Sequence, residues 1–177
     1  VKRENSKESL TQRRFLSDGS KLSRGKWAIP ITIEEGNHQR SILLKSRSST
    51  LSLKNTDSNF LINSGRHGFY RVQYDDNTLA NLSLLIDEKI LNHVDRWSLQ
   101  NDLFSYCISG TKQLQEYLDL TTSYHDEDNY ITLLDLAQNL YYLYKLTIKE
   151  KFSDEIRTYA VQFLGTILDR LGGDSKK

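Results

Sequence analysis

Residues 60–75 read Phe60-Leu-Ile-Asn-Ser-Gly-Arg-His-Gly-Phe-Tyr-Arg-Val-Gln-Tyr-Asp75. Phe60–Asn63 has the composition of a short strand, Gly65 and Gly68 bracket a hairpin turn, and Phe69–Tyr74 suits a second strand. At Asp75 the apolar period changes from 2 to 3.6, with Leu79, Leu82, Leu85, Ile86 and Ile90 on one helical face. So sharp a boundary divides the chain into a β domain, 1–74, and an α-helical domain, 75–171, with a small, charged tail over 172–177 that is expected to be disordered.

Upstream, Trp27, Ile29, Ile31 and Ile33 alternate with Ala28, Pro30, Thr32 and Glu34, one face buried. Pro30 has no N–H for a ladder, which puts this strand at an edge or turns its nitrogen outward. Leu10–Leu16, Gln39–Leu44 and Leu51–Lys54 are further strands, separated by turn compositions such as Asp18-Gly19-Ser20, Gly36-Asn37 and Asn55–Asn59. Short strands without an intervening helix predict an antiparallel β-sandwich.

Downstream, helices follow one another. Asp95 is expected to cap the second, stopped by Gly110, and Thr111 the third. Asp126 or Asp128 would open the fourth and Ser153 the fifth, with Asp154 and Glu155 favourably placed in its first turn. Short connections predict antiparallel neighbours. On the last helix, Val161, Leu164 and Leu168 widen the apolar stripe beyond what one neighbour covers, so self-association through that helix is expected.

Of 177 residues, 24 are Lys or Arg and 23 Asp or Glu, a net charge of +1 that carries no electrostatic footprint for nucleic acid. No apolar run is long enough to span a membrane. The single Cys107 excludes an internal disulfide and fits a reducing, cytoplasmic compartment. With no Met and a first residue Val1, the chain is expected to be a processed or excised piece of a longer protein.

Chemistry is sparse. His38, His67, His93 and His125 show no His-x-x-x-His spacing for zinc, and His125-Asp126-Glu127-Asp128 reads as a solvated helix start. Cys107 lies on an apolar face without a base beside it. Gly65-x-x-Gly68 lacks the Lys-Ser/Thr of a phosphate loop. Tyr117, Tyr124, Tyr130, Tyr141, Tyr142, Tyr144 and Tyr159 suit helix packing with wet hydroxyls better than a peptide-stacking surface. The informative charges are Asp95, Arg96 and Asp102. An arginine in a first helical turn opposes the macrodipole and calls for a specific partner, while Asp102 is too far round the helix to be that partner. These three, with Arg71, are candidate structural or interdomain anchors, not catalytic groups.

Several segments together resemble the carboxy-terminal half of the zinc aminopeptidases of the aminopeptidase N and puromycin-sensitive type. Ser9-Leu-Thr-Gln-Arg-Arg-Phe-Leu16 is similar to that family's Gln-x-Arg-Phe strand, and Trp27-Ala-Ile-Pro-Ile31 to its Trp-x-Ile-Pro strand. Phe60–Asp75 resembles its Asn-x-Gly-x-x-Gly-Tyr-Tyr-Arg-Val-x-Tyr-Asp hairpin, with Phe69 and Gln73 where Tyr and Asn are common. Asp95-Arg96 with Asp102-Leu-Phe104 resembles the opening of its helical domain, and Tyr117-Leu and Glu127-Asp-Asn-Tyr130 look like its Tyr-Leu and Glu-x-x-Tyr segments. The resemblance implies a β-sandwich followed by the start of a HEAT-like superhelix that roofs a peptide cavity. The family's Gly-x-Met-x-Asn and His-Glu-x-x-His motifs, its further zinc ligand Glu and its transition-state Tyr match nothing here, so no catalytic, metal or cofactor residue is carried over. The expected partners are upstream catalytic domains holding the zinc, and peptide substrates in the intact enzyme. The alternative is a free-standing protein- or peptide-interaction module.

Overall fold

A computed structural model describes residues 1–177 apart from 5–6, 21–24, 37, 53–59 and 174–177. Two three-stranded antiparallel sheets come first. One orders β1 (Lys2–Glu4), β2 (Lys7–Thr11) and β5 (Ser48–Ser52) side by side. In the other, β3 (Ile29–Glu35) lies between β4 (His38–Leu44) and β6 (Phe60–Ile62). Five helices follow: α1 (Asp76–Asp87), α2 (His93–Ile108), α3 (Leu114–Thr121), α4 (Tyr130–Thr147) and α5 (Ser153–Arg170). A β-then-α order is thus what the chain adopts.

Strand alternation places Ile31 and Ile33 in the core, whereas Trp27 precedes β3 and is 43% exposed. β2 ends at Thr11; the next residue, Gln12, donates its backbone N–H to Arg47 C=O at 2.9 Å and ties neighbouring segments through its side chain. Its amide oxygen accepts from Trp27 N–H (2.8 Å), and Nε2 donates to the carbonyls of Trp27 and Ser46 (2.9 Å each). Arg40 of β4 joins the sheets, pairing with buried Glu35 at 2.7 Å and donating to Ser52 C=O of β5 at 3.0 Å. The strand end 53–54 and loop 55–59 expected from the sequence lie outside the described residues, as does the tail from 174 onward.

The expected closing hairpin is not formed. Asn63 adopts a left-handed conformation (φ 64°), a tight turn occupies Ser64–Arg66, residues 68–70 bend, and residues 71–74 carry no strand assignment. Their ladder bonds are taken by side chains: Asn63 Nδ2 donates to Gly68 and Tyr70 carbonyls, and Val72 N–H donates to Asp102. Tyr74 is buried, its hydroxyl accepting from Ile62 N–H at 2.9 Å.

Helix caps also differ from expectation. Asp75 does cap α1, accepting from Thr78 N–H at 2.8 Å. α2, however, is capped by Asn92, which accepts from Asp95 N–H at 3.0 Å; Asp95 lies inside the first turn. Gln113 rather than Thr111 precedes α3, Asn129 rather than Asp126 or Asp128 caps α4, and Ser153 is the first residue of α5. At α2, α3 and α4 the polar residue immediately before the helix supplies the acceptor or closes the turn, whereas α5 follows Phe152, which makes no side-chain cap bond.

One apolar cluster includes Leu10 and Ile33 from the sheets and Leu82, Tyr117, Leu136 and Leu140 from the helices. α2 packs on α3 and α4, and α4 on α5. Leu140→Ala should lower unfolding free energy by about 2–5 kcal/mol, because its side chain is fully buried. Val161→Ala, on a side chain 65% exposed, should change it by less than about 0.5 kcal/mol in the same denaturant titration.

Candidate functional site

Asp95 and Asp102 are seven positions apart on α2, two turns or about 10.5 Å along one face. That face meets the segment following β6. Asp95 Oδ1 accepts from Gly65 N–H at 2.7 Å, and Asp102 Oδ2 accepts from Val72 N–H at 2.8 Å. Gly65 can take this turn because its φ is +71°. Arg66 adds an ion pair to Asp102 at 3.2 Å, donates to Asn101, and stacks 4.6 Å above the Trp97 ring. Ser64 Oγ bonds Glu34 of β3, so sheet, turn and α2 are tied in series. Burial raises both Asp95 and Asp102 above the ordinary carboxylate range, outweighing the N–H bonds that they accept. Their ionised forms therefore cost stability, and that cost appears as pH rises through the folded values.

Arg96 faces the other way. Its Nε and Nη2 grip Glu127 at 2.6 and 2.7 Å, and Nη1 donates to Leu91 C=O at 2.7 Å. Glu127 in turn accepts from the N–H groups of Asp128 (3.0 Å) and Asn129 (2.9 Å), fixing the entry to α4. Buried Tyr124 donates to Arg96 C=O at 2.7 Å. Arg170 at the end of α5 donates to Glu127 C=O, so one loop is held from two helices, α2 and α5. Burial pushes Glu127 up, but the Arg96 and backbone hydrogen bonds more than offset it and hold its carboxyl below the ordinary range.

Between these two arrangements, Asp135 of α4 accepts from Trp97 Nε1 (2.9 Å), Gln100 Nε2 and Asn101 Nδ2 (3.1 Å). Fully buried Gln100 passes the link on, its Oε1 accepting from Tyr117 and Asn139. The polar spine of α2 is thereby satisfied almost residue by residue.

Sequence reasoning singled out Asp95, Arg96 and Asp102, and the structure places all three in this spine. Arg71 is exposed, its guanidinium 4.9 Å from the Phe15 ring centroid; it adds a Coulombic attraction to Asp102, while Arg66 makes the ion pair there. Glu127, expected in a solvated helix start, is 2% exposed. Tyr117 and Tyr124 are core residues and half-exposed Tyr142 packs edge-on against Phe104, but Tyr130 and Tyr141 are largely exposed. Glu127, Asp135 and Arg66 were not paired with α2 from sequence. The signal for Glu127 was present, since the unfavourably placed Arg96 required a distant carboxylate.

No group of three or more His, Cys, Asp or Glu among the described residues could hold a metal ion, and the residues present do not fit a zinc site. Cys107 donates weakly to Gln113 C=O (3.1 Å), and burial pushes its thiol up to about 11, which leaves little thiolate at neutral pH. Among the described residues no helix is long and apolar enough to cross a membrane.

The chain's sequence has known relatives. The chain belongs to the ERAP1-like C-terminal domain family, whose model matches residues 59–177. It is 30% identical over 167 residues to Probable aminopeptidase 2 of Sulfurisphaera tokodaii, covering 94% of this chain and 20% of that protein. Against Aminopeptidase M1-A of Oryza sativa subsp. japonica it is 27% identical, covering 99% and 21%, and against the Puromycin-sensitive aminopeptidase of Caenorhabditis elegans 25%, covering 94% and 18%. The chain thus spans about a fifth of the length of the curated relatives it matches.

Arg96→Ala strands the Glu127 carboxylate and should cost about 2–4 kcal/mol in denaturant unfolding. The pH dependence follows from the depressed Glu127 carboxyl. Its contribution is present above the unfolded value, about 4.3, and is lost as pH falls through the lower folded value. The stability difference between wild type and Glu127→Gln should accordingly be largest near neutrality and shrink below about pH 4. A difference that stays constant with pH would show that the carboxyl is not held in its charged form.

Proposed function

We propose that this chain is a non-catalytic region of a zinc-dependent aminopeptidase whose intact form removes amino-terminal residues from peptides. The family match over residues 59–177, together with aminopeptidase-named relatives aligned along 94–99% of the chain, carries the reading. Residues 1–74 would pack as a β-sandwich and 75–171 as the first part of a HEAT-like superhelix. The satisfied polar spine of α2 supports a scaffold role: Asp95 and Asp102 are spent on backbone N–H groups and Arg66, and Arg96 on Glu127 and Leu91 C=O, leaving none presented to a reacting group. The scaffold would hold one wall of the peptide cavity, with zinc bound by upstream domains that this chain contacts. Zinc there would polarise the scissile carbonyl and activate water.

The chain alone should neither retain zinc through extensive dialysis nor hydrolyse aminoacyl anilides. Stoichiometric zinc with turnover would overturn the scaffold reading. Reading the gene upstream of Val1 checks the parent: a His-Glu-x-x-His is the expected result, and a start codon directly before Val1 would favour the free-standing interaction module.

The uncovered side of α5 bears on partners. Val161 is 65% exposed and Leu168 50%, while Leu164 is partly buried against the core. Self-association of the isolated chain through this stripe is the expected consequence. Sedimentation at high concentration should show wild type associating and a Val161→Glu, Leu168→Glu variant monomeric; a monomeric wild type would show that the helix is already covered well enough.

A further inference from the structure

The segment 69–75 is hydrogen-bonded on both backbone edges, each only in part. Its even-numbered residues give their groups inward: Tyr70 C=O accepts from Asn63, and Val72 N–H donates to Asp102. On the opposite edge Val1 N donates to Gln73 C=O at 2.6 Å, and Asp75 N–H donates to Val1 C=O at 3.0 Å. That pair of bonds, from one residue to the neighbours either side of Tyr74, is the pattern of a parallel ladder. The ladder then stops. Among the described residues Gln73 N–H and Arg71 C=O make no hydrogen bond, and both point along the same edge.

Beside this edge is a cleft of about 950 Å³. Its far wall is β3 at Ile29–Ile31, beyond the point where β6 ceases to pair, and Pro30 there has no N–H to leave unsatisfied. Trp27 and Phe69, 43% and 109% exposed, flank it.

We infer that this cleft seats an extended strand running parallel to residues 69–73, supplied by the polypeptide that directly precedes Val1 in the longer protein. The inference rests on the proposed reading that this chain is a region of such a protein. Parallel pairing fixes the register: with Val1 opposite Tyr74, the residue two before Val1 stands opposite Val72. Its N–H then donates to Arg71 C=O, and its C=O accepts from Gln73 N–H. The occupant is an extended segment with alternate apolar side chains, since one of its faces meets Trp27, Ile29 and Phe69. Added in this way, the strand would give residues 69–74 the pairing that they lack with β6.

The test compares amide hydrogen exchange, read residue by residue by NMR, in the 177-residue chain and in the same chain extended by the residues its gene encodes directly ahead of Val1. Gln73 N–H is expected to exchange at least about tenfold more slowly in the extended chain, while Val72 N–H, already bonded to Asp102, changes less than about twofold. Equal exchange at Gln73 in both chains overturns the inference. Protection in the unextended chain that grows with protein concentration also overturns it, because the occupant is then a second copy. A start codon directly before Val1 removes the proposed strand altogether. An upstream sequence that lacks His-Glu-x-x-His defeats the aminopeptidase reading but leaves the exchange measurement to decide the strand on its own terms.

Discussion

Asp102 accepts a hydrogen bond from the backbone of Val72, and most of the architecture depends on that contact. Residues 69–74 have no strand partner in the sheets, so their polar groups need other partners. α2 supplies them through Asp102, and two turns earlier through Asp95 on Gly65 N–H. The helix thereby fixes both ends of the segment that joins sheet to helix. Because the two carboxylates sit on a rigid rod, the spacing between the turn at 64–66 and the extended stretch at 72 is set by the pitch of α2.

On the opposite side of the same helix, Arg96 performs a matching task for the array. The loop from Tyr124 to Asn129 carries the chain from α3 back to α4, and Glu127 within it is buried. A buried carboxylate needs a paired charge and satisfied lone pairs. Arg96 gives two bonds, Asp128 and Asn129 give backbone N–H groups, and Arg170 fastens the loop's own carbonyl. α2 thus positions the β part by carboxylates and the following helices by a guanidinium.

How much of this was legible in the sequence depends on whether the signal was local. Periodicity announced the helices and the change at Asp75, because amphipathic spacing is written in adjacent residues. It placed Ile31 and Ile33 inward for the same reason. The caps were misplaced by up to three residues where several cap-forming residues stood together: Asn92 and Asp95 both qualify, and only geometry selects Asn92. The predicted hairpin at 60–74 failed because its second strand has strand composition but gives its bonds to Asn63 and Asp102, partners that no local pattern reveals. In the candidate site, Arg96 was conspicuous as a cation in a first turn, yet Glu127 lies 31 positions away and its burial could not be read from a string of acidic residues. Tyr141 was expected to pack, but it is 62% exposed on α4, while its neighbour Tyr142 does meet the edge of Phe104.

The opposite pKa shifts separate what these charges do for the fold. Glu127 is held below the ordinary range, so its ionised form is favoured by folding and the Arg96 pair contributes stability at neutral pH. Asp95 and Asp102 are raised by burial, so their ionised forms are disfavoured even with N–H donors in place. Stability alone does not account for a carboxylate at either position. What they contribute is geometry: a single acceptor aimed at one backbone N–H defines where the junction may lie, as a buried polar group in a helical interface can fix register at a cost in stability. In a scaffold whose proposed task is to hold one wall of a cavity against another domain, that cost goes into a defined angle between sheets and helices.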